Sequence, residues 1–306
     1  MASPFGPLVL IANPRSGNGQ VGRELPEVER QLQARGLRYR IVTTEGVGHA
    51  THLARDALER GERFLVAVGG DGTVQEIVNG MIEDDHAIAD DAVLGVVAAG
   101  SGSDFVRTFG LPGDAVRSVR HLAGENLYEL DVIRAEYRDG EGSGTRYVPN
   151  IAEVGLGGAV VARAERLPRR AGRARYFLAF WLSVGRYRPC EVTVRVDRKE
   201  FTGRANNVVV ANCQFYGGGM KISPRSYPGD GVLDAQISIG PKSEAFTLLP
   251  KIYRGEHVPH PHIKEMRGRA IAVDAERPLP VEGDGESLGT TPATFTVLPQ
   301  IVRLKI

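Results

Sequence analysis

Through the first part of the chain, short aliphatic runs alternate with longer stretches whose apolar residues recur every three or four positions. The runs are 8–12, 39–42, 64–68 and 93–97, and the amphipathic stretches that follow them are 21–34, 49–59, 74–82 and about 103–109. Apolar runs of this length read as strands buried on both faces. Crossover helices between them imply a parallel sheet that meets its ligands at the carboxyl ends of the strands. Past about Asp131 the pattern changes. Segments such as 191–196, 207–212, 232–239 and 270–273 are rich in β-branched residues and separated by Gly- and Pro-rich connections, which predicts a largely antiparallel β domain. Helices are expected there only at about 158–166, 174–187 and 243–253. The fold class is therefore α/β plus mainly-β.

Three glycine-rich corners fall at the ends of the predicted parallel strands. Gly69-Gly70-Asp71-Gly72-Thr73 follows the third strand and leads into a helix. Glycines let the backbone approach a ligand and turn its N–H groups outward, and a helix start favours negative charge. Asp71 would repel a bare phosphate but accept a bridging Mg2+, so a nucleotide–metal complex suits this corner. A structural reading is also open, because Thr73 and Glu76 have the spacing of a capping box. Asn13-Pro14-Arg15-Ser16-Gly17 ends the first strand, where Ser16 and the following N–H groups can meet a phosphate or base edge; alone it is only a turn. Gly100-Ser101-Gly102-Ser103-Asp104-Phe105 repeats the theme after the fourth strand, with Ser103 or Asp104 equally suited to capping a helix. The GxG starts at Gly46, Gly100 and Gly155 lack a third glycine, and no Walker-type loop follows the first strand, which disfavours both standard dinucleotide and P-loop phosphate sites.

A length of 306 residues suits two moderate domains, and a net charge of +1 gives no global pull toward nucleic acid. Cys190 and Cys213 lie in apolar strand contexts without CxxC spacing, which favours reduced, buried thiols and a cytoplasmic protein. The first seven residues lack the pattern of a signal peptide, and the run 176–182 is too short to span a bilayer. The acidic residues at 83–85 and 90–91 read as a solvated loop. Arg163, Arg166, Arg169, Arg170, Arg173 and Arg175 precede that aromatic run. They suit either an anionic membrane surface or a core helix with a solvated lead-in. His257, His260 and His262 read as a rigid Pro-containing loop rather than a metal site, because no fourth ligand is evident nearby.

The three corners, together with Gly69 to Gly80, the segment from Ser223 to Asp234 and Asp284-Gly285-Glu286, resemble in family order the signatures of the diacylglycerol kinase catalytic family. That family includes bacterial soluble lipid kinases and the sphingosine and ceramide kinases. The resemblance covers essentially the whole chain. It implies that Asn13, Pro14, Arg15, Ser16, Gly17, Thr44, Gly70, Asp71, Gly72, Thr73, Val74, Gln75, Glu76 and Ser101 surround ATP, that Asp71 helps hold the catalytic Mg2+, and that Glu286 is the general base. Asp230, with carbonyls near Tyr227 and Val232, resembles the ligand set of a structural Mg2+, although Gly229 stands where bacterial members often place another acid. Ser101 and Ser103 replace the family's usual threonine and asparagine. Losing the amide at position 103 is expected to alter nucleotide affinity or base selectivity.

The resemblance also implies a doubly wound parallel-sheet domain over 1–131, rejoined by a C-terminal segment 293–306, and an antiparallel β-sandwich over 132–292, with the active site in the cleft between them. The expected reaction is transfer of the γ-phosphoryl group of ATP to a lipid hydroxyl, with diacylglycerol as first choice. Two alternatives stand beside it: a soluble-substrate kinase such as an NAD kinase, which shares a GGDGT-like element, and a non-catalytic, nucleotide-responsive lipid-binding protein. A lipid substrate is the expected partner and nucleic acid is not. Whether the chain forms a homodimer is open.

Overall fold

The computed structural model describes residues 3–99, 103–167 and 174–306. The chain forms two compact units, Met1–Asp131 with Gln300–Ile306, and Val132–Pro299.

In the first unit β1 (Leu8–Ala12), β2 (Tyr39–Thr43), β3 (Phe64–Gly69) and β6 (Val93–Ala98) form a parallel sheet in the order β2-β1-β3-β6. A short hairpin, β4 (Ile82–Glu83) with β5 (His86–Ala87), precedes β6 and places the acidic residues 83–85 at its turn. Every residue of β1, β3 and β6 is buried, as apolar runs covered on both faces require. The helices are α1 (Ser16–Ala34), α2 (His49–Glu59), α3 (Asp71–Met81) and the short α4 (Asp104–Thr108) and α5 (Ala115–Ser118). A Cβ on Gly80 would lie 2.3 Å from the Thr51 carbonyl oxygen, so its absence lets α2 and α3 approach closely. Arg303 and Leu304 pair in parallel with β6, and the buried Lys305 ammonium donates to the carbonyls of Asn126 (2.9 Å) and Ile306 (2.6 Å).

The chain passes between the units within β7 (Leu127–Asp139) and within the final strand, β17 (Glu286–Lys305). In the second unit β7 pairs with β8 (Gly142–Val148). One antiparallel sheet runs β14 (Ile263–Gly268), β13 (Leu233–Ser238), β12 (Asn207–Ala211), β9 (Ile151–Gly155), β16 (Pro280–Gly283) and on to the start of β17. The other runs β11 (Lys199–Ala205), β10 (Cys190–Val196), β15 (Ala270–Ala275) and on to residues 293–296 of β17. Val154, Val208, Val210 and Ile237 of the first sheet and Val192, Val194, Val273 and Phe295 of the second share one buried cluster, which makes the unit a β-sandwich. The returning segment begins at Gln300 rather than at 293, because residues 293–296 are still hydrogen-bonded to β15. Helices α6 (Leu156–Glu165), α7 (Ala174–Arg186) and α8 (Ala245–Arg254) complete the unit. No helix among the described residues is long and apolar enough to cross a membrane.

Candidate active site

In the first unit the described parts of the three corners meet. Helix α3 begins at Asp71 with Gly70 as its N-cap, so Thr73 lies inside the first turn and no capping box forms. Glu76 instead accepts the Ala50 N–H at 2.9 Å, at the start of α2, while the Thr51 hydroxyl donates to the Glu76 carbonyl. Thr73, Val74 and Gln75 are buried, whereas Gly70, Asp71 and Gly72 are partly exposed. The Asp71 carboxylate accepts the backbone N–H groups of Asp104 and Phe105, both at 3.2 Å, and so caps α4 across the corner. Ser16 Oγ donates to the Ala99 carbonyl at 3.4 Å, and a Cβ on Gly70 would lie 3.5 Å from that hydroxyl. Asn13 Oδ1 accepts the Arg15 N–H, Pro14 and Arg15 continue the loop, and the Thr44 N–H donates to Ala12. Gly17, Asn18 and Gly19 follow in left-handed conformations before the continuous part of α1. Ser101 lies outside the described residues. A fixed carboxylate among glycines at a helix start fits a hard divalent cation carrying phosphate oxygens.

Ser103, the residue before α4, has φ of +54°, and its buried hydroxyl has no hydrogen-bond partner among the described residues. A left-handed backbone disfavours serine and tolerates asparagine or glycine. The departure from asparagine noted in the sequence therefore bears on backbone conformation here. Ser103→Gly is expected to stabilise the protein by about 0.5–1 kcal/mol, read as a higher urea midpoint; a lower midpoint would contradict the strain.

In the second unit Glu286 follows a turn in which Asp284 and Gly285 both have positive φ. Asp284 Oδ1 accepts the Ile151 N–H at 2.9 Å, and its own N–H donates to the Ile151 carbonyl at 2.9 Å. The Gly285 N–H donates to Glu282 at 2.8 Å. Glu286 itself is ion-paired with Arg146 at 2.6 Å, each side chain 28% exposed. The base candidate is thus a half-buried carboxylate on a turn locked at three points.

Beneath that turn lies a feature that sequence reasoning missed. Glu153 on β9 and Glu282 on β16 are cross-strand partners, both buried. Glu153 accepts a hydrogen bond from Asn207 Nδ2 at 2.7 Å and is hydrogen-bonded to the partly buried Tyr216. A Cβ on Gly157 would lie 2.0 Å from Glu153 Oε2, so the glycine after Gly155-Leu156 makes room for this acid. Burial pushes the Glu153 carboxyl up to about 7, and burial together with the neighbouring Glu153 charge pushes Glu282 well above its ordinary range. Side by side in a medium of low polarity, the two acids retain protons that water would remove. The only sequence signal was an acid inside each of two apolar runs, Ile151-Ala152-Glu153-Val154 and Pro280-Val281-Glu282.

Below 4.5 these groups are protonated in both folded and unfolded chains, so no penalty exists; as pH rises to about 7 the unfolded chain loses protons that the folded one keeps, and stability falls. Glu153→Gln is expected to flatten that fall, measured as urea midpoints of parent and variant across the window. Parallel profiles would show that the acids carry no extra protons.

Residues 150–306, more than half of the chain, match the YegS C-terminal NAD kinase beta sandwich-like domain, and residues 7–135 match the diacylglycerol kinase catalytic domain. The chain belongs to the diacylglycerol kinase catalytic family. It is 28% identical to the diacylglycerol kinase of Bacillus subtilis over 94% of this chain and 92% of that protein. It is 25% identical to the diacylglycerol kinase of Mycobacterium tuberculosis over 98% and 95%. A solved diacylglycerol kinase structure from Bacillus anthracis shares the fold, with a TM-score of 0.74, 21% identity and coverage of 99% and 97%. The yeast NADH kinase structure shares it more distantly, with a TM-score of 0.50, 11% identity and coverage of 97% and 82%.

As a member of the diacylglycerol kinase family the protein is an enzyme, a lipid kinase that uses ATP and phosphorylates an alcohol group. Family membership sets aside the reading as a non-catalytic lipid-binding protein. The Asp230 segment does not fit a second Mg2+. Arg267 pairs with both Asp230 and Asp234, so a guanidinium already supplies the positive charge, and Asp230 Oδ1 accepts the Val232 N–H. The Tyr227 carbonyl is engaged by the N–H groups of Gly229 and Asp230 within the turn.

Proposed function

We propose that this kinase transfers the γ-phosphoryl group of ATP to the free hydroxyl of diacylglycerol, forming phosphatidic acid. Asp71 is the residue that holds Mg2+, and Glu286 is the general base. The observation that carries the reading is the pair of fixed carboxylates, Asp71 held by two backbone N–H groups and Glu286 held by Arg146 on its locked turn. Bound Mg2+ supplies positive charge to the phosphate oxygens of the transferring group. Ser16 and the partly exposed Gly70 and Gly72 line the corner where those oxygens are received. Glu286 accepts the proton of the lipid hydroxyl, and Arg146 keeps its carboxylate oriented for that transfer. Diacylglycerol as acceptor is supported by the names of the curated relatives.

The test is incubation of pure protein with labelled ATP and Mg2+ and, in turn, diacylglycerol, a long-chain base and NAD. Label in phosphatidic acid is expected, and its loss when Mg2+ is withheld. Label in either of the other two acceptors instead would replace the substrate assignment.

The enzyme meets its lipid, on this reading, as a cytoplasmic protein resting on an anionic bilayer. Supporting this is an exposed aromatic face in the second unit: Phe177 and Leu178 of α7 are 63% and 50% exposed, and Phe246 of α8, 66% exposed, stacks on Trp181 at 4.5 Å. Arg175, Lys251 and Arg254 lie on the same two helices. Arg163 is drawn into packing by donating to Ser183, and Arg169, Arg170 and Arg173 lie outside the described residues. Replacing Phe177 and Phe246 with serine is expected to reduce co-sedimentation with phosphatidylglycerol vesicles. Unchanged pelleting would remove this face from the account.

A further inference from the structure

Glu244, His260 and His262 bring one carboxylate oxygen and two imidazole nitrogens within 4.8 Å of one another. Glu244 ends the short turn Lys242–Glu244 that leads into α8, and the two histidines lie in the loop before β14. We infer that these three side chains form a site for a borderline divalent cation of the Zn2+ class, separate from the phosphoryl-transfer residues, with water completing the coordination. Two imidazoles and one carboxylate suit Zn2+ and its transition-metal neighbours, whereas Mg2+ demands an octahedron of oxygens.

The backbone holds the donors in place before any ion arrives. His260 and His262 flank Pro261 in a turn closed by the Ile263 N–H donating to the His260 carbonyl at 3.0 Å, the His262 N–H donates to His260 Nδ1 at 3.2 Å and so leaves Nε2 for an ion, and Pro259 and Pro261 restrict the chain around them. The Ile239 N–H donates to the His262 carbonyl at 2.9 Å, and the Glu244 N–H to Pro241 at 3.0 Å, so the end of β13 ties the two donor segments together. His262 Nδ1 already lies 2.5 Å from Glu244 Oε1, and the His260 ring is edge-on to His262 at 5.7 Å. Metal bonds of about 2.0–2.1 Å in a tetrahedron put donors about 3.3 Å apart. Side-chain rotation therefore closes the site, with the His262–Glu244 hydrogen bond exchanged for bonds to the ion. Gly240 keeps the space open: a Cβ there would lie 2.2 Å from Glu244 Oε2 and 2.9 Å from the His262 Cβ. His257 takes no part. It is buried, with Nε2 bonded to the Ile222 carbonyl and Gln236. The additional ligand that the sequence did not show comes from ahead of α8, at a spacing no short motif encodes.

Titration of the full, tag-free chain with Zn2+ in the presence of excess Mg2+ is expected to show one Zn2+ per chain and a raised unfolding midpoint. His260→Ala and Glu244→Gln are each expected to weaken Zn2+ by at least about tenfold, since even outer-shell changes cost that much. His260→Ala leaves the His262–Glu244 contact intact and removes only the Nδ1 acceptor of the His262 N–H, so its metal-free unfolding midpoint is expected to fall slightly while the Zn2+-induced rise is lost. Absence of Zn2+ binding, or equal affinity in parent and His260→Ala, would overturn the site.

Discussion

Glu286→Gln is expected to leave the affinity for ATP near that of the parent enzyme while lowering kcat by about 10²–10⁴-fold, the usual contribution of a positioned general base. The substitution removes a proton acceptor and almost no volume. It also removes one charge of the pair with Arg146, but at 28% exposure on each side such a pair contributes only about 0–1 kcal/mol to stability. The variant should therefore fold, bind nucleotide and stall at the transfer step. The measurement is single-turnover transfer from labelled ATP to diacylglycerol beside nucleotide binding by calorimetry. Transfer within a few-fold of the parent would assign the proton to another acceptor.

The second large loss is expected for Asp71→Asn, with kcat/KM reduced by at least about 10²–10³-fold, as when a preorganised electrostatic group is removed. Asparagine keeps an oxygen able to accept one of the N–H groups of Asp104 and Phe105, but it loses the charge that draws a cation to the corner. That charge also complements the start of α4, so a modest fall in stability of about 0.5–1 kcal/mol accompanies the change. The two roles separate by experiment. If Asp71 only caps the helix, activity well below the unfolding midpoint will stay near the parent value and Mg2+ dependence will not change. If it holds the metal, activity collapses while the midpoint barely moves.

Much of the fold can be read along the chain because its determinants are local. Runs 8–12, 64–68 and 93–97 are apolar throughout, and the strands they form are buried on both faces. The glycine corners were likewise legible, since close backbone approach has few other residue solutions. Individual roles were less so. Thr73 and Glu76 have the spacing of a capping box, yet Glu76 finds a better donor in Ala50 of α2, a contact that exists only once α2 and α3 are packed. Gly80 admits the Thr51 carbonyl, a close approach that likewise exists only once α2 and α3 are packed. Asp230 looked open to a metal until Arg267, on β14, closed over it.

Local pattern along the chain set out the alternation of strands and helices in the first unit, the change from parallel to antiparallel organisation near residue 131, and the glycine corners with their neighbouring acids. Periodicity and turn chemistry act over a few residues and so survive in one dimension. Only the tertiary structure paired Glu153 with Glu282 and Glu244 with His262, and carried β17 through one sheet, then the other, then the first unit. Those relations join residues far apart in the chain, and burial and electrostatics depend on distance in space.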